Sequence, residues 1–273
     1  MNNFSVTDQK LAQKFEVFAC SLANKAGGQI IESLSKEINV RYKDSSSKNI
    51  NPRDPVSDID QAVEKMLSEQ IKKQYPDHTF LGEEFSDTFD DSKEFTWVID
   101  PIDGTQNFVN GLPFYSCSIG LLKQGLPIAA AIWAIATHMG MPGVYHTHRG
   151  GKLKLDGQIL DGLGRHNQGK KRGIVTTPIN NRQSNSFEYR NLGSTALEGA
   201  LVAAGVLQAS KNPDPHIWDV AACILLAQSA ECEVWTKGQK GWASFDRFNP
   251  EELSSWRQST LIANPDVVES LRN

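Results

Sequence analysis

Residues 114–135, FYSCSIGLLKQGLPIAAAIWAI, hold two strand-length apolar runs with a polar, glycine-bearing break at Gln124–Pro127. The pattern reads as two strands joined by a turn, and an apolar sheet needs helices or a second sheet against it. The longest apolar stretch, 128–136, has nine residues, too few to cross a bilayer as a helix.

The rest of the chain supplies that cover. Helical spacing runs over 8–35, with Leu11, Phe15, Phe18 and Leu22 on one stripe and a weak point at Gly27–Gly28. The polar stretch 44–57 reads as an exposed, mobile loop. A helix is expected over 59–74, with Ile59, Val63, Met66, Leu67 and Ile71 on its apolar face. HTFLG and FTWVID read as short strands, and strand-like pieces follow near 143–147 and 151–155. Residues 156–172 are rich in Gly, Asp, Asn and Lys, and a soft boundary falls there. It divides the chain into 1–165, which carries most of the site acids, and 166–273, which completes the site. In the second half GIVTT, CEVW and STLIA read as strands, and STALEGALVAAG and WDVAACILLAQSAE as helices. The expected class is α+β, with layered α and β structure.

With 273 residues, 39% of them hydrophobic, the chain can build a real core. Its net charge of −4 argues against a general nucleic-acid binder, and the basic run GKKR at 169–172 reads as a solvated loop. The four cysteines show no CxxC spacing and read as free thiols of a reducing cytoplasm. The N-terminal stretch is amphipathic rather than signal-like, so a soluble cytoplasmic protein is expected.

The chemistry lies in the acids. Asp100 ends an apolar run and Asp103 opens the turn DPIDGT. Glu83 and Glu84 follow another strand, Asp219 begins an apolar helix, and Asp54, Asp58 and Asp60 precede the helix at 59–74. Each has an ordinary explanation alone: Asp-Pro and Asp-Gly form turns, a first-turn acid suits the helix dipole, and Ser57 with Asp60 has capping-box spacing. Together they fit a single site. Two like charges at ~4 Å repel by about 1 kcal/mol in water and about 4 kcal/mol at an effective dielectric of 20, so such a cluster must protonate or bind cations. Oxygen ligands without nearby Cys or His favour Mg²⁺ over Zn²⁺. Gly104 and Thr105 add backbone N–H groups near a helix start, a seat for an anion such as phosphate.

These pieces resemble the inositol monophosphatase family: GEE at 82–84, WVIDPIDGTQNFVNGLPFYSCSIGLL at 97–122, WDVAA at 218–222, and DPVSDIDQAVEKML at 54–67. The order and spacing match over roughly 10–265. The resemblance implies a five-layer αβαβα sandwich of the sugar-phosphatase type, a homodimer, and lithium sensitivity. It assigns one metal to Glu83, Asp100 and the carbonyl of Ile102, a second to Asp100, Asp103 and Asp219, and a looser third near Glu83. The ions would be Mg²⁺, two or three in number, with Mn²⁺ as a possible substitute. Gly104 and Thr105 would hold phosphate, and Thr105 with Asp60 would orient and deprotonate the attacking water. The implied reaction is hydrolysis of a small phosphorylated polyol or nucleotide: inositol 1-phosphate first, then 3′-phosphoadenosine 5′-phosphate, fructose 1,6-bisphosphate or histidinol phosphate.

The match departs on the substrate side. Relatives preferring inositol phosphate carry an acid seven residues before the WD aspartate, where this chain has Asn212, with Asp214 nearby. Cys223 and the sequence SAEC at 229–232 stand where small residues and a Gly pair are expected. Gly193, Ser194 and Thr195 match the substrate-facing segment, although Ser194 also reads as a simple helix cap. His146 and His148 lie two apart on a strand and could be ligands on one face, His216 could touch substrate, and Trp218 reads as a core anchor. A different class stays open, a regulatory protein that binds transcription or ribosome-assembly machinery.

Overall fold

The computed structural model describes residues 6–36, 39–42, 55–85, 89–160, 173–178 and 187–272. Helix α1 spans Val6–Ser33, and strands β1 (Val40–Tyr42) and β2 (Pro55–Ser57) form a small antiparallel pair. The end of the polar stretch expected to be loop is thus a strand, and residues 44–54 lie outside the described residues. Helix α2 (Asp58–Gln74) follows, then β3 (Thr79–Gly82), β4 (Phe95–Asp103), the short α3 (Thr105–Val109), β5 (Ser116–Lys123), β6 (Leu126–Ala134), β7 (Gly143–His148), β8 (Lys154–Leu155) and β9 (Gln158–Ile159). Strands β3 to β9 form one sheet in chain order. The β5–β6 hairpin turns at Gln124 and Gly125, both at positive φ (48° and 78°), the backbone a tight hairpin needs.

The second half contains β10 (Gly173–Thr176), β11 (Phe187–Arg190), α4 (Thr195–Ala203), β12 (Ala209–Asn212), α5 (Ile217–Ser229), β13 (Glu233–Gly238), β14 (Gly241–Ser244), β15 (Ser259–Ala263) and α6 (Val268–Arg272). Its sheet runs β11-β10-β12-β15-β13-β14.

Period-two alternation explains the layers. On β4 and β6, Trp97, Ile99, Ala129, Ala131 and Trp133 pack with α1 and α2, whereas Val98, Ala130, Ile132 and Ala134 face α4 and α5. Those two helices also cover Val234 and Ile262 of the second sheet, whose other face carries α6. The result is a layered α/β sandwich. α5 lies close on the first sheet: a methyl on Gly120 would sit 3.2 Å from Ala221 Cβ, and the Ser118 hydroxyl donates to the Trp218 carbonyl at 3.1 Å.

Helix α1 buries Phe15 and Leu22 of its expected stripe and packs Phe18 against the same core, and only Leu11 departs. Leu11 is exposed, and the buried line is Ala12, Phe15, Ala19, Leu22, Ala23, Ala26 and Ile30. Small residues between Phe15, Leu22 and Ile30 bring the helix axis close to the sheet. Gly27 is no weak point either: the helix runs through it, and a Cβ there would lie 2.2 Å from the Trp133 indole nitrogen. Gly27→Ala gains about 1 kcal/mol of helix propensity but overpacks a rigid buried ring at about 1–3 kcal/mol. A net loss in urea unfolding is expected, whereas Gly28→Ala, with nothing within 4 Å of the new methyl, is expected to stabilise.

Candidate active site

Three acids meet where β4 ends against α5. Carboxylate oxygens of Asp100, Asp103 and Asp219 all lie within 4.8 Å of one another. The strand delivers two of them because its pairing with β5 shifts register between Asp100 and Asp103, a bulge of the kind that re-aims side chains. Gly104 then takes φ 94°, and a Cβ there would lie 2.9 Å from the Phe114 carbonyl. Asp219 comes from the first turn of α5, where Oδ2 accepts the backbone N–H of His216 at 2.7 Å.

Burial raises the pKa of Asp100 far above the ordinary carboxylate range, and Glu83, Asp103, Asp219 and Asp60 add to the effect. Asp219 moves the same way, through burial first and then Asp103 and Glu83. Asp100 Oδ1 is buried with no hydrogen-bond partner. An orphaned acidic oxygen beside two further carboxylates is expensive unless a cation meets it, and an all-oxygen set suits a hard ion such as Mg²⁺. Glu83 stands outside this tight group but near enough for its charge to be felt by it. Its backbone N–H donates to the Ile99 carbonyl at 3.2 Å, extending the β3–β4 ladder by one residue.

On the other side, the Thr105 hydroxyl lies 3.2 Å from Asp60 Oδ1 and 2.9 Å from the Ile102 carbonyl. Ser57 donates both its hydroxyl and its N–H to Asp60 Oδ2. Burial drives Asp60 up to about 7 against the pull of Ser57, with Glu83 and Glu84 adding to the rise. Asp58 turns outward towards Arg41 at 4.0 Å, and Asp54 lies outside the described residues.

The substrate-side residues gather on Asp103. Its Oδ2 accepts from the Ser194 hydroxyl at 2.5 Å, the Ala196 N–H at 2.7 Å and the Ser116 hydroxyl at 3.3 Å, and its Oδ1 accepts from the Thr195 N–H at 3.2 Å. Ser194 therefore occupies the cap position of α4 without capping it through its side chain. Asp103, 93 residues before Ala196, caps the helix instead. Burial raises Asp103 to about 6, despite the hydrogen bonds from Ser194 and Ala196. Asn212 adjoins this group, 3.5 Å from the Thr195 hydroxyl and bonded to Ser210. Gly193 packs at Asn107. Asp214 is exposed and pairs with Arg257 at 2.7 Å.

The remaining candidates divide. His216 stacks on Trp218 with centroids 4.4 Å apart, and its Nε2 meets Arg257 at 2.8 Å. Trp218 is half-buried and packs against the core cluster between the sheets, in line with its reading as a core anchor. His146 and His148 do share a face, but both rings meet Glu16 of α1, together with Lys154 at 2.8 Å. Burial pushes Glu16 up, but these three partners outweigh it and hold the carboxyl below its usual range. The histidines thus belong to an internal hydrogen-bonded cluster around Glu16 that joins α1 to the sheet. All four cysteines are free. Cys223 fits because Gly199 faces it on α4, where a Cβ would lie 2.6 Å from its sulfur.

Sequence reasoning overlooked Asn107. Its side-chain amide donates to the carbonyls of Phe114 and Leu192, both at 2.6 Å, and so ties the turn after Asp103 to the loop before α4. A polar residue inside the DGTQNF block was the available signal. Asn107→Ala leaves both carbonyls short of a donor. An expected stability loss of about 1–2 kcal/mol is checked by urea unfolding, and a rise in KM by initial-rate kinetics.

No helix among the described residues is long and apolar enough to cross a membrane. Residues 11–264 match the inositol monophosphatase family. Inositol monophosphatase 1 of Bos taurus is 34% identical over 227 residues, covering 78% of this chain and 80% of that protein. A solved IMPase/NADP phosphatase complexed with Mg²⁺ and phosphate superposes with a TM-score of 0.75 at 20% identity, over 95% of this chain and 94% of that one. SaIMPase-II bound to inositol monophosphate gives a TM-score of 0.68 at 25% identity, over 92% and 89% of the two chains. With the acidic site at the junction of its layers, the chain belongs to the inositol monophosphatase family and is a phosphoric monoester hydrolase.

Proposed function

We propose that this phosphatase hydrolyses a small polyol phosphate, with inositol 1-phosphate the first choice. The observation that carries the reading is the meeting of Asp100, Asp103 and Asp219 around the unpartnered Asp100 Oδ1. The family depends on Mg²⁺. Glu83, Asp100 and the Ile102 carbonyl would hold one ion, and Asp100, Asp103 and Asp219 another, with a third near Glu83 and Mn²⁺ able to substitute. When bound, the ions supply positive charge against the phosphate oxygens and acidify the attacking water.

The chain's own groups do the rest. The backbone N–H groups of Gly104 and Thr105 hold phosphate oxygens. Thr105 has one hydroxyl proton and two acceptors, Asp60 Oδ1 and the Ile102 carbonyl, so its lone pairs remain turned to accept a hydrogen bond from water. Asp60, at about 7, is matched to take up a proton near neutral pH, where a general base works best. Gly193, Ser194, Thr195, Asn212 and Asp219 line the side where the leaving alcohol departs. The inositol monophosphate complex of SaIMPase-II supports the choice of ester. The neutral Asn212 keeps 3′-phosphoadenosine 5′-phosphate, fructose 1,6-bisphosphate and histidinol phosphate as runners-up.

A phosphate-release assay over these four esters, with and without Mg²⁺ and Li⁺, tests the reading. Fastest release from inositol 1-phosphate, dependent on Mg²⁺ and suppressed by Li⁺, is expected. Silence on all four with Mg²⁺ present refutes it. The same reading expects a cytoplasmic homodimer, which sedimentation of the purified protein checks for assembly.

A further inference from the structure

Glu64 lies in the middle of α2 with no exposed surface. A carboxylate on the apolar stripe of a helix is costly unless strong donors meet it. Two do: Oε2 accepts the backbone N–H of Glu84 at 2.9 Å, and Oε1 accepts that of Phe85 at 2.6 Å. The approach is possible only because β3 ends in glycine, since a Cβ on Gly82 would lie 2.2 Å from Oε1. The N–H groups of three successive residues are thereby held: Glu83 by the Ile99 carbonyl, and Glu84 and Phe85 by the two oxygens of one side chain. This is the segment that carries Glu83 to the acidic site, and it lies beyond the last rung of the β3–β4 pairing.

We infer that Glu64 is a positioning residue: its carboxylate clamps the backbone of residues 83–85 and so sets the direction in which Glu83 meets a divalent ion. The inference rests on the phosphatase reading for the identity of the ion, not for the clamp. Glu64 has both oxygens engaged by the main chain and is shut off from solvent, so it acts through Glu83 and touches neither substrate nor ion. An outer partner of this kind sets metal affinity by roughly 10–100-fold.

Calorimetric titration of Mg²⁺ into the wild type, Glu64→Gln and Gly82→Ala tests the clamp. Glutamine keeps the shape but turns one acceptor into a donor facing an N–H. Alanine at 82 keeps the Glu64 carboxyl group but blocks its approach. Both variants are expected to bind Mg²⁺ about tenfold or more weakly, while melting cooperatively without the ion. Wild-type Mg²⁺ affinity in either folded variant overturns the inference, because a merely structural Glu64 would lower the melting temperature and leave the titration unmoved. Should Glu64→Gln not fold, Gly82→Ala carries the same prediction. In the wild type, the Glu84 and Phe85 amides are expected to exchange slowly with deuterium, and fast exchange there overturns the clamp whatever the variants do. A wild type that binds Mg²⁺ but releases no phosphate would instead count against the proposed reaction.

Discussion

Asp103→Asn is expected to lower kcat by about a thousandfold or more while leaving the protein folded. The activity loss follows from replacing one of three converging anionic groups with a neutral one, where charge stabilisation of the reacting phosphate is worth several kcal/mol. The fold survives because the two oxygens of Asp103 do different work. Oδ2 takes the donors from Ser194, Ala196 and Ser116, and an asparagine carbonyl can take the same three. Oδ1 takes only the Thr195 N–H at 3.2 Å, so the amide group costs about 1 kcal/mol there. Asp103→Ala removes the cap as well, and a further loss of about 2 kcal/mol is expected from the unmet N–H groups of α4. Steady-state kinetics and urea unfolding of both variants separate the two contributions. An Asp103→Asn enzyme within tenfold of the wild type would contradict the proposed site.

The second large effect concerns stability without divalent ions. Burial lifts Asp60 from an ordinary 3.8 to about 7, Glu64 from 4.5 to about 7, and Asp103 from 3.8 to about 6. Each acid holds its proton more tightly in the folded chain than in the unfolded one. Their contribution is complete below the unfolded values and is lost as pH rises through the folded ones. The metal-free protein should therefore become less stable between about pH 4 and 7. Because the acids influence one another, the loss is taken as about 3–5 kcal/mol in total, roughly 10 °C in melting temperature. Glu16 works in the opposite direction: its pKa is depressed, so its contribution is present above 4.5 and fades in stronger acid. Saturating Mg²⁺ should cancel most of the neutral-pH loss, since an ion bound only by the folded state stabilises it by mass action. Melting curves at several pH values, with EDTA and with Mg²⁺, check this. A metal-free melting temperature that stays flat or climbs from pH 4 to 7 would be incompatible with a buried group of mutually repelling acids.

The legible features were those with a local signature. The β5–β6 hairpin, α2 and α5 follow from periodicity over ten or so residues, whereas β4, expected to end at Asp100, runs on through Pro101 to Asp103 because its pairing with β5 resumes at Asp103 after a register shift. Asp100, Asp103 and Asp219 lie close together and Thr105 lies beside Asp60; the residues by themselves left that convergence open, and only the family resemblance grouped them. The polar β12 and the short β11 and β14 escaped notice because neighbouring strands form them, not their own residues. On α1, Phe15, Phe18 and Leu22 follow the periodicity and only Leu11 leaves the stripe, because alanines such as Ala12 and Ala19 share the buried face.

What the sequence determined alone was the alternation of strands and helices and the acids at their ends, because side-chain periodicity is a property of a few consecutive residues. What only the tertiary structure decided was the partner of each buried charge. Glu16 meets His148 across 132 positions, Asp103 caps a helix 93 positions on, and Glu64 clamps the chain 21 positions on. In the interior a charge is tolerated only where donors surround it, and in this fold the donors come from distant segments.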